Sequence, residues 1–292
     1  MNKTAWIVCN AFLSKASPDK KNALVRYLPP KQQELLRTLV IPEKDPLTAS
    51  FDPAALLQIV HYSWFASFLR TLPEGEVRLF LACFPEGMSK KLQKTLLFSK
   101  SIAPLSPLGK NYLQHELIKY ILPKDSDVIP TECLPHCPLN SLLDLSHEAL
   151  LSLIEYLGLH DLSVEIRQII DTMKLKKIHS ALSKEKDAYL KVLLQRKEPV
   201  LFKRMELVKW DGKADTLQKV LVHRGINRLA KALYPENPSL VWYVSHMLPW
   251  DEASTFQSLC KPLEHAKAAN LLSHQILEIL PLVHNKSSKE AV

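Results

Sequence analysis

A chain of 292 residues, 47% hydrophobic and 23% charged, has the composition of a folded protein and the length for one large or two ordinary domains. Its 6 glycines against 20 prolines, with no Gly-x-Gly, argue against dinucleotide-binding and P-loop architectures, where the backbone must approach phosphate closely. The formal net charge of +8 raises an acidic partner, but the basic runs Lys174-Leu175-Lys176-Lys177 and Lys184-Glu185-Lys186 are short and mixed, and read as solvated helix faces with no nucleic acid expected.

The first apolar run, 5–13, follows Lys3 and precedes Ser14-Lys15-Ala16; Asn10 interrupts it, so it reads as a first helix and not as a cleaved leader. Ser17 caps and Pro18 starts a second helix through Ala23, Leu24 and Tyr27 to Leu28-Pro29, and Gln32, Leu35, Leu36 and Leu39 carry a third. Asp52-Pro53 opens another pair, breaking near Ser63-Trp64 and again at Leu72-Pro73. Between 104 and 145 the prolines crowd around a single helical piece, 110–122, which reads as an extended connector. Helices resume at 147–157, 163–173 and 183–195.

Short amphipathic helices follow, with apolar stripes at Leu217, Val220 and Leu221, at Ile226, Leu229, Ala230 and Leu233, and at Leu240, Val241, Val244, Met247 and Leu248. Asn237 suits an N-cap, Pro238 the first helical position, and Pro249 a stop. The chain closes with a helix over 263–283 and a polar tail. Pro29 follows Pro18, and Pro249 follows Pro238, at the same interval of 11 positions, so both units are a cap, a short helix, a Leu-Pro break and a second helix.

These repeats predict an all-α fold of stacked helix pairs forming an armadillo-like right-handed superhelix in two halves. The expected domains are an N-terminal half at 1–103, divided into 1–48 and 49–103; a connector at 104–145; a C-terminal helical domain at 146–284; and a loose tail at 285–292. No stretch approaches the roughly 18 apolar residues of a membrane span, so no direct membrane insertion is expected.

Chemistry is thinly signalled. Five cysteines, at 9, 83, 133, 137 and 260, are far apart except for one pair and suit free thiols in a reducing cytosol. Cys133-Leu134-Pro135-His136-Cys137 is the one metal-like cluster, but no second ligand pair follows at zinc spacing, so no metal and no cofactor are expected. His61, His160, His179, His265 and His274 show no partner at a telling spacing, and there is no Gly-x-Ser-x-Gly or His-Glu-x-x-His, so no catalytic residues and no enzymatic activity are expected. Trp64, Phe65 and Phe68 sit at helical spacing and read as core.

One further pattern runs in order along the C-terminal half: Met205-Glu206-Leu207-Val208, Trp210-Asp211, Leu217-Gln218-Lys219-Val220-Leu221, Leu229-Ala230-Lys231-Ala232-Leu233 and His246-Met247. It resembles the C-terminal domain of the flagellar motor-switch protein FliG family, with its Phe-Glu-Asp-Leu-Val-like run, Ile-Gln-Lys-x-Leu helix, Leu-Ala-x-Ala-Leu helix and Asn-Met-Ser turn. Leu72-Pro73-Glu74-Gly75-Glu76 is similar to the family's Leu-Pro-Glu-Glu, and Phe51-Asp52-Pro53-Ala54 stands where the family has Glu-His-Pro-Gln, keeping only the proline. Where that family carries alternating acids and bases toward the stator, this chain has Val222, His223, Arg224, Asn227 and Arg228; the acids are gone.

The resemblance, with the motor charges missing, implies a structural adaptor of a bacterial type III secretion apparatus. Such an adaptor links an inner-membrane ring to the cytoplasmic sorting platform and lies peripheral at the cytoplasmic face of the membrane. A flagellar rotor component and a basic helical-repeat nucleic-acid-binding protein are the alternatives. The implied partners are the tail of the ring protein, held by Trp6, Ile7, Phe12, Leu13, Leu24 and Leu28, and a platform or switch-ring protein, met by Phe51, Asp52, Pro53, Arg224, Arg228 and Lys231; self-association into a ring is a third possibility.

Overall fold

The computed structural model describes residues 3–39, 51–122, 128–203, 205, 207 and 210–290; the expected boundary at 48/49, together with Glu206 and Val208, falls outside them. Among the described residues the chain is all-helical, with no strand. The α-helices in order are α1 Lys3–Ser14, α2 Pro18–Arg26, α3 Pro30–Thr38, α4 Pro53–Ile59, α5 Ser63–Arg70, α6 Glu74–Cys83, α7 Glu86–Leu96, α8 Pro107–Ile121, α9 His147–Ile166, α10 Thr172–Ala181, α11 Lys184–Leu194, α12 Ala214–Leu233, α13 Pro238–Met247, α14 Trp250–Leu259 and α15 Ala266–Glu290. Two 3-10 helices, Thr131–Cys133 and Pro138–Asp144, lie between α8 and α9.

The helices form two compact units, residues 1–137 with 237–250 and residues 138–236 with 251–292. This division falls inside the stretch read as a connector and assigns α13 to the first unit, so neither half is a single run of sequence.

In the first unit proline does what its chemistry allows. Pro18, Pro30, Pro53, Pro107 and Pro238 occupy the first turn of their helices, where a missing N–H goes unneeded. Side chains satisfy the orphan amides: Asp52 accepts from Ala54 N at 2.9 Å, Ser106 from Gly109 N at 3.2 Å and Asn237 from Ser239 N at 2.8 Å. The core is aliphatic and aromatic, with Leu57, Val60, Phe65, Leu69, Leu81, Leu92 and Leu117 fully buried. Helix α13 is fastened into it by polar bonds: Tyr243 donates to Ile129 O at 2.9 Å, Ile129 N to Ser239 Oγ at 3.2 Å, His61 N to His246 O at 2.7 Å and Trp64 Nε1 to Leu248 O at 3.0 Å. The His246 ring is stacked between Trp64 and Trp242, with centroids 3.9 Å from each. Burial disfavours its charged form and drops its pKa to about 4, against the opposing pull of the Trp242 carbonyl on Nδ1.

The second unit is built on the crossing of α9 and α12. A side chain at Gly225 would place its Cβ 1.7 Å from Ile154 O, and one at Gly158 2.2 Å from Leu221 O, so two glycines let the backbones touch. This explains two departures from the periodicity reading. The stripes at Leu217–Leu221 and Ile226–Leu233 belong to one continuous α12, because Gly225 is the crossing point and not a break. The helices expected at 147–157 and 163–173 are likewise a single α9 ending at Ile166, its Gly158 again spent on the crossing. Helix α15 runs past Pro281 to Glu290, beyond the start of the tail expected at 285.

Candidate functional site

The first candidate is the N-terminal face of the first unit. Helices α1, α2 and α3 enclose a small cluster of Trp6, Leu13 and Leu36, with Cys9, Val25, Leu28 and Leu39 packed against it. Two polar bonds hold the helix ends: Asn10 Nδ2 donates to Leu39 O at 3.4 Å and Gln33 Nε2 to Leu28 O at 2.8 Å. Ile7 and Ala11, one turn apart on α1, are buried outside that cluster, and α1 packs on α13.

The six residues expected to hold a ring tail therefore divide. Trp6, Ile7 and Leu13 are buried in the protein's own core and offer no surface to a partner, because a three-helix cluster this small needs its largest side chains to hold itself together. Leu28 is half-buried against the same cluster. Phe12 and Leu24 face solvent, 62% and 50% exposed; Tyr27 and Leu35, which the periodicity places on these helices but the resemblance does not assign to a partner, are exposed as well. Isolated exposed apolar residues are ordinary; four on one short helical cluster are not.

The residues expected to meet a platform also separate. Phe51, Asp52 and Pro53 lie in the first unit, where Asp52 is the exposed cap of α4. Arg224, Arg228 and Lys231 lie on α12 in the second. Lys231 donates to Lys261 O at 3.1 Å, and burial lowers its pKa. Arg228 is completely buried, so its expected surface role gives way to an interior one.

That interior role is a saturated network. All five N–H groups of the guanidinium are spent: Nε and Nη2 on Asp161 Oδ1 at 3.0 and 2.5 Å, Nη1 on Glu198 Oε1 at 3.0 Å and on Gln275 Oε1 at 2.8 Å, and Nη2 also on Val200 O at 3.0 Å. Glu198 pairs through its other oxygen with His160 Nδ1 at 2.8 Å, and His160 Nε2 lies 3.1 Å from the Tyr189 hydroxyl. Burial pushes the Glu198 carboxyl up, but the His160 hydrogen bond and the Arg228 charge outweigh it and hold the carboxyl at about 2. An ionised Glu198 only accepts, so His160 carries its proton on Nδ1. Asp161 Oδ2 is buried without a hydrogen bond and faces Arg224 Nη1 at 4.0 Å.

A cleft of about 210 Å³ opens beside His160 and Glu198, with Arg196, Lys197, His274 and Glu278 on its lining. With each strong donor committed, the network ties α9, α12, α15 and the segment around Glu198 together. Sequence reasoning missed Asp161, Glu198 and Gln275. The one available signal was a charge inside an apolar stripe, as with Asp161 between Leu159 and Leu162 and Arg228 beside Leu229 and Ala230.

Cys133 is buried in the first 3-10 helix and Cys137 half-buried beyond it. Among the described residues no helix is long and apolar enough to cross a membrane, and no cluster of three His, Cys, Asp or Glu side chains is placed to hold a metal ion. Comparison with protein-family models, with curated proteins and with solved structures finds no match.

Proposed function

We propose that the chain is a non-enzymatic structural adaptor, a protein that holds other proteins on helical surfaces. The observation that carries this reading is the solvent-facing set Phe12, Leu24, Tyr27 and Leu35 on α1–α3, which suits the apolar face of an amphipathic helix laid against the cluster. The resemblance to the FliG family supplies the setting: a bacterial type III secretion apparatus, with the cytoplasmic tail of an inner-membrane ring protein on α1–α3 and a sorting-platform protein on the far side of the link. Exposed Asp52 with Phe51 and Pro53, and separately Arg224 and Lys231 on α12, are the proposed platform contacts. Helix pairs stacked in an armadillo-like way are the proposed plan within each unit.

Titration calorimetry of cytoplasmic-tail peptides from candidate ring proteins, against the wild type and Phe12→Asp, tests the reading. Phe12 is exposed, so the substituted protein should melt within about 1 kcal/mol of the wild type. A carboxylate facing a buried apolar helix costs several kcal/mol, so binding should weaken at least a hundredfold. Equal affinity for both proteins, or no binding by any tail, overturns the proposal.

A further inference from the structure

A second surface of the first unit lies apart from α1–α3 in sequence and chemistry. Helices α6 and α8 leave a groove of about 490 Å³ between them, floored by Phe68 and Phe80 and edged by Leu79, Tyr112 and Tyr120. The aromatic rings are mutually braced: Phe68 stacks on Tyr120 at 4.5 Å and meets Phe80 edge-on at 5.5 Å. The rim is nonetheless open, with Leu79 48%, Tyr112 65% and Tyr120 49% exposed. Leu108, one turn before Tyr112, extends the apolar strip along α8. From Leu108 to Tyr120 the strip is about 18 Å long at the helical rise, which matches some twelve residues of a second helix laid alongside.

The charges in the groove select among occupants. Its walls carry Glu76 from α6 and Glu116 from α8 against a single base, Lys119. Lys119 is committed to Glu116 at 2.7 Å, while Glu76 has no ion-pair partner among the described residues. A chain of net charge +8 thus presents an aromatic groove with a spare carboxylate. We infer that this groove binds an amphipathic helix of another protein whose apolar face is flanked by lysine or arginine. The apolar face fills the floor, the cations lie over the rims of Tyr112 and Tyr120, and the flanking charges meet Glu76 and Glu116. The same carboxylates oppose an acidic helix.

The test uses two labelled peptides of 18 residues, one an amphipathic Leu/Lys helix and one a Leu/Glu helix of the same pattern, titrated with the full chain by fluorescence anisotropy at physiological salt. The global charge of the protein repels the basic peptide and attracts the acidic one, so a preference for Leu/Lys has to come from a local surface. The expected result is saturable Leu/Lys binding at least tenfold tighter than Leu/Glu, lost at least tenfold in Leu79→Ser/Tyr112→Ser, and weakened severalfold in Glu76→Lys. All three positions are exposed, and circular dichroism melts confirm that the variants stay folded. Phe12→Asp should leave this binding unchanged, which separates it from recognition on α1–α3. Equal or tighter Leu/Glu binding, unaltered binding by Leu79→Ser/Tyr112→Ser, or no saturable binding overturns the inference.

Discussion

Replacing Arg228 with Met keeps most of the side chain's bulk and removes its charge and all five hydrogen bonds. Asp161 and Glu198 are then left as buried carboxylates, with side chains only 7% and 5% exposed; Asp161 keeps Arg224 nearby, and Glu198 keeps His160 and the Gln275 amide. Removing one partner of a buried ion pair costs about 3–5 kcal/mol, so the second unit should lose about 4 kcal/mol, close to a thousandfold in its unfolding equilibrium. The acid response should move as well. Glu198 is held at about 2 against an ordinary 4.5, so its contribution of about 3 kcal/mol is complete above pH 4.5 and is lost as pH falls through 2. Without Arg228 that loss should begin at higher pH. Guanidinium denaturation followed by circular dichroism reads the total, and hydrogen exchange of α9 and α12 amides assigns it to the second unit. A cost below about 1 kcal/mol, or an unmoved acid limb, refutes the network as the brace of this unit.

Gly225→Ala should be severely destabilising, by about 3 kcal/mol or more, because its Cβ would lie 1.7 Å from Ile154 O and only backbone movement relieves it; Gly75→Ala, with open space around it, is the control and should stay within about 0.5 kcal/mol in a thermal melt. His246 has its pKa lowered to about 4 from 6.5, so its contribution is complete above pH 6.5 and is lost as pH falls through 4. Fluorescence of Trp64 and Trp242, which sandwich it, should therefore change across that window in the wild type and lose the step in His246→Phe.

The helical character and most helix starts were legible because they are written locally. Asp52-Pro53, Asn237-Pro238 and Leu28-Pro29 act through their own backbone geometry, and each marks a helix boundary in the structure. What local signals do not encode is which helix meets which. Gly158 and Gly225 look like weak points in a helix until the partner backbone is placed against them. Arg228 looks like a surface base until Asp161, Glu198 and Gln275, between 30 and 67 residues away, converge on it. For the same reason Trp6, Ile7 and Leu13 read from the sequence as partner-facing along with Phe12: periodicity shows that α1 has an apolar face, but whether that face meets its own chain or a partner is decided by α3 and α13.

Hydrogen–deuterium exchange of the full chain, with and without a saturating ring-protein tail peptide, bears most directly on the adaptor role. Docking of a helix against Phe12, Leu24, Tyr27 and Leu35 should slow exchange across α1–α3 at least tenfold and leave α9 and α12 unchanged, since the peptide stabilises only what it covers. No slowing in α1–α3 under saturation, or slowing confined to the second unit, would contradict it.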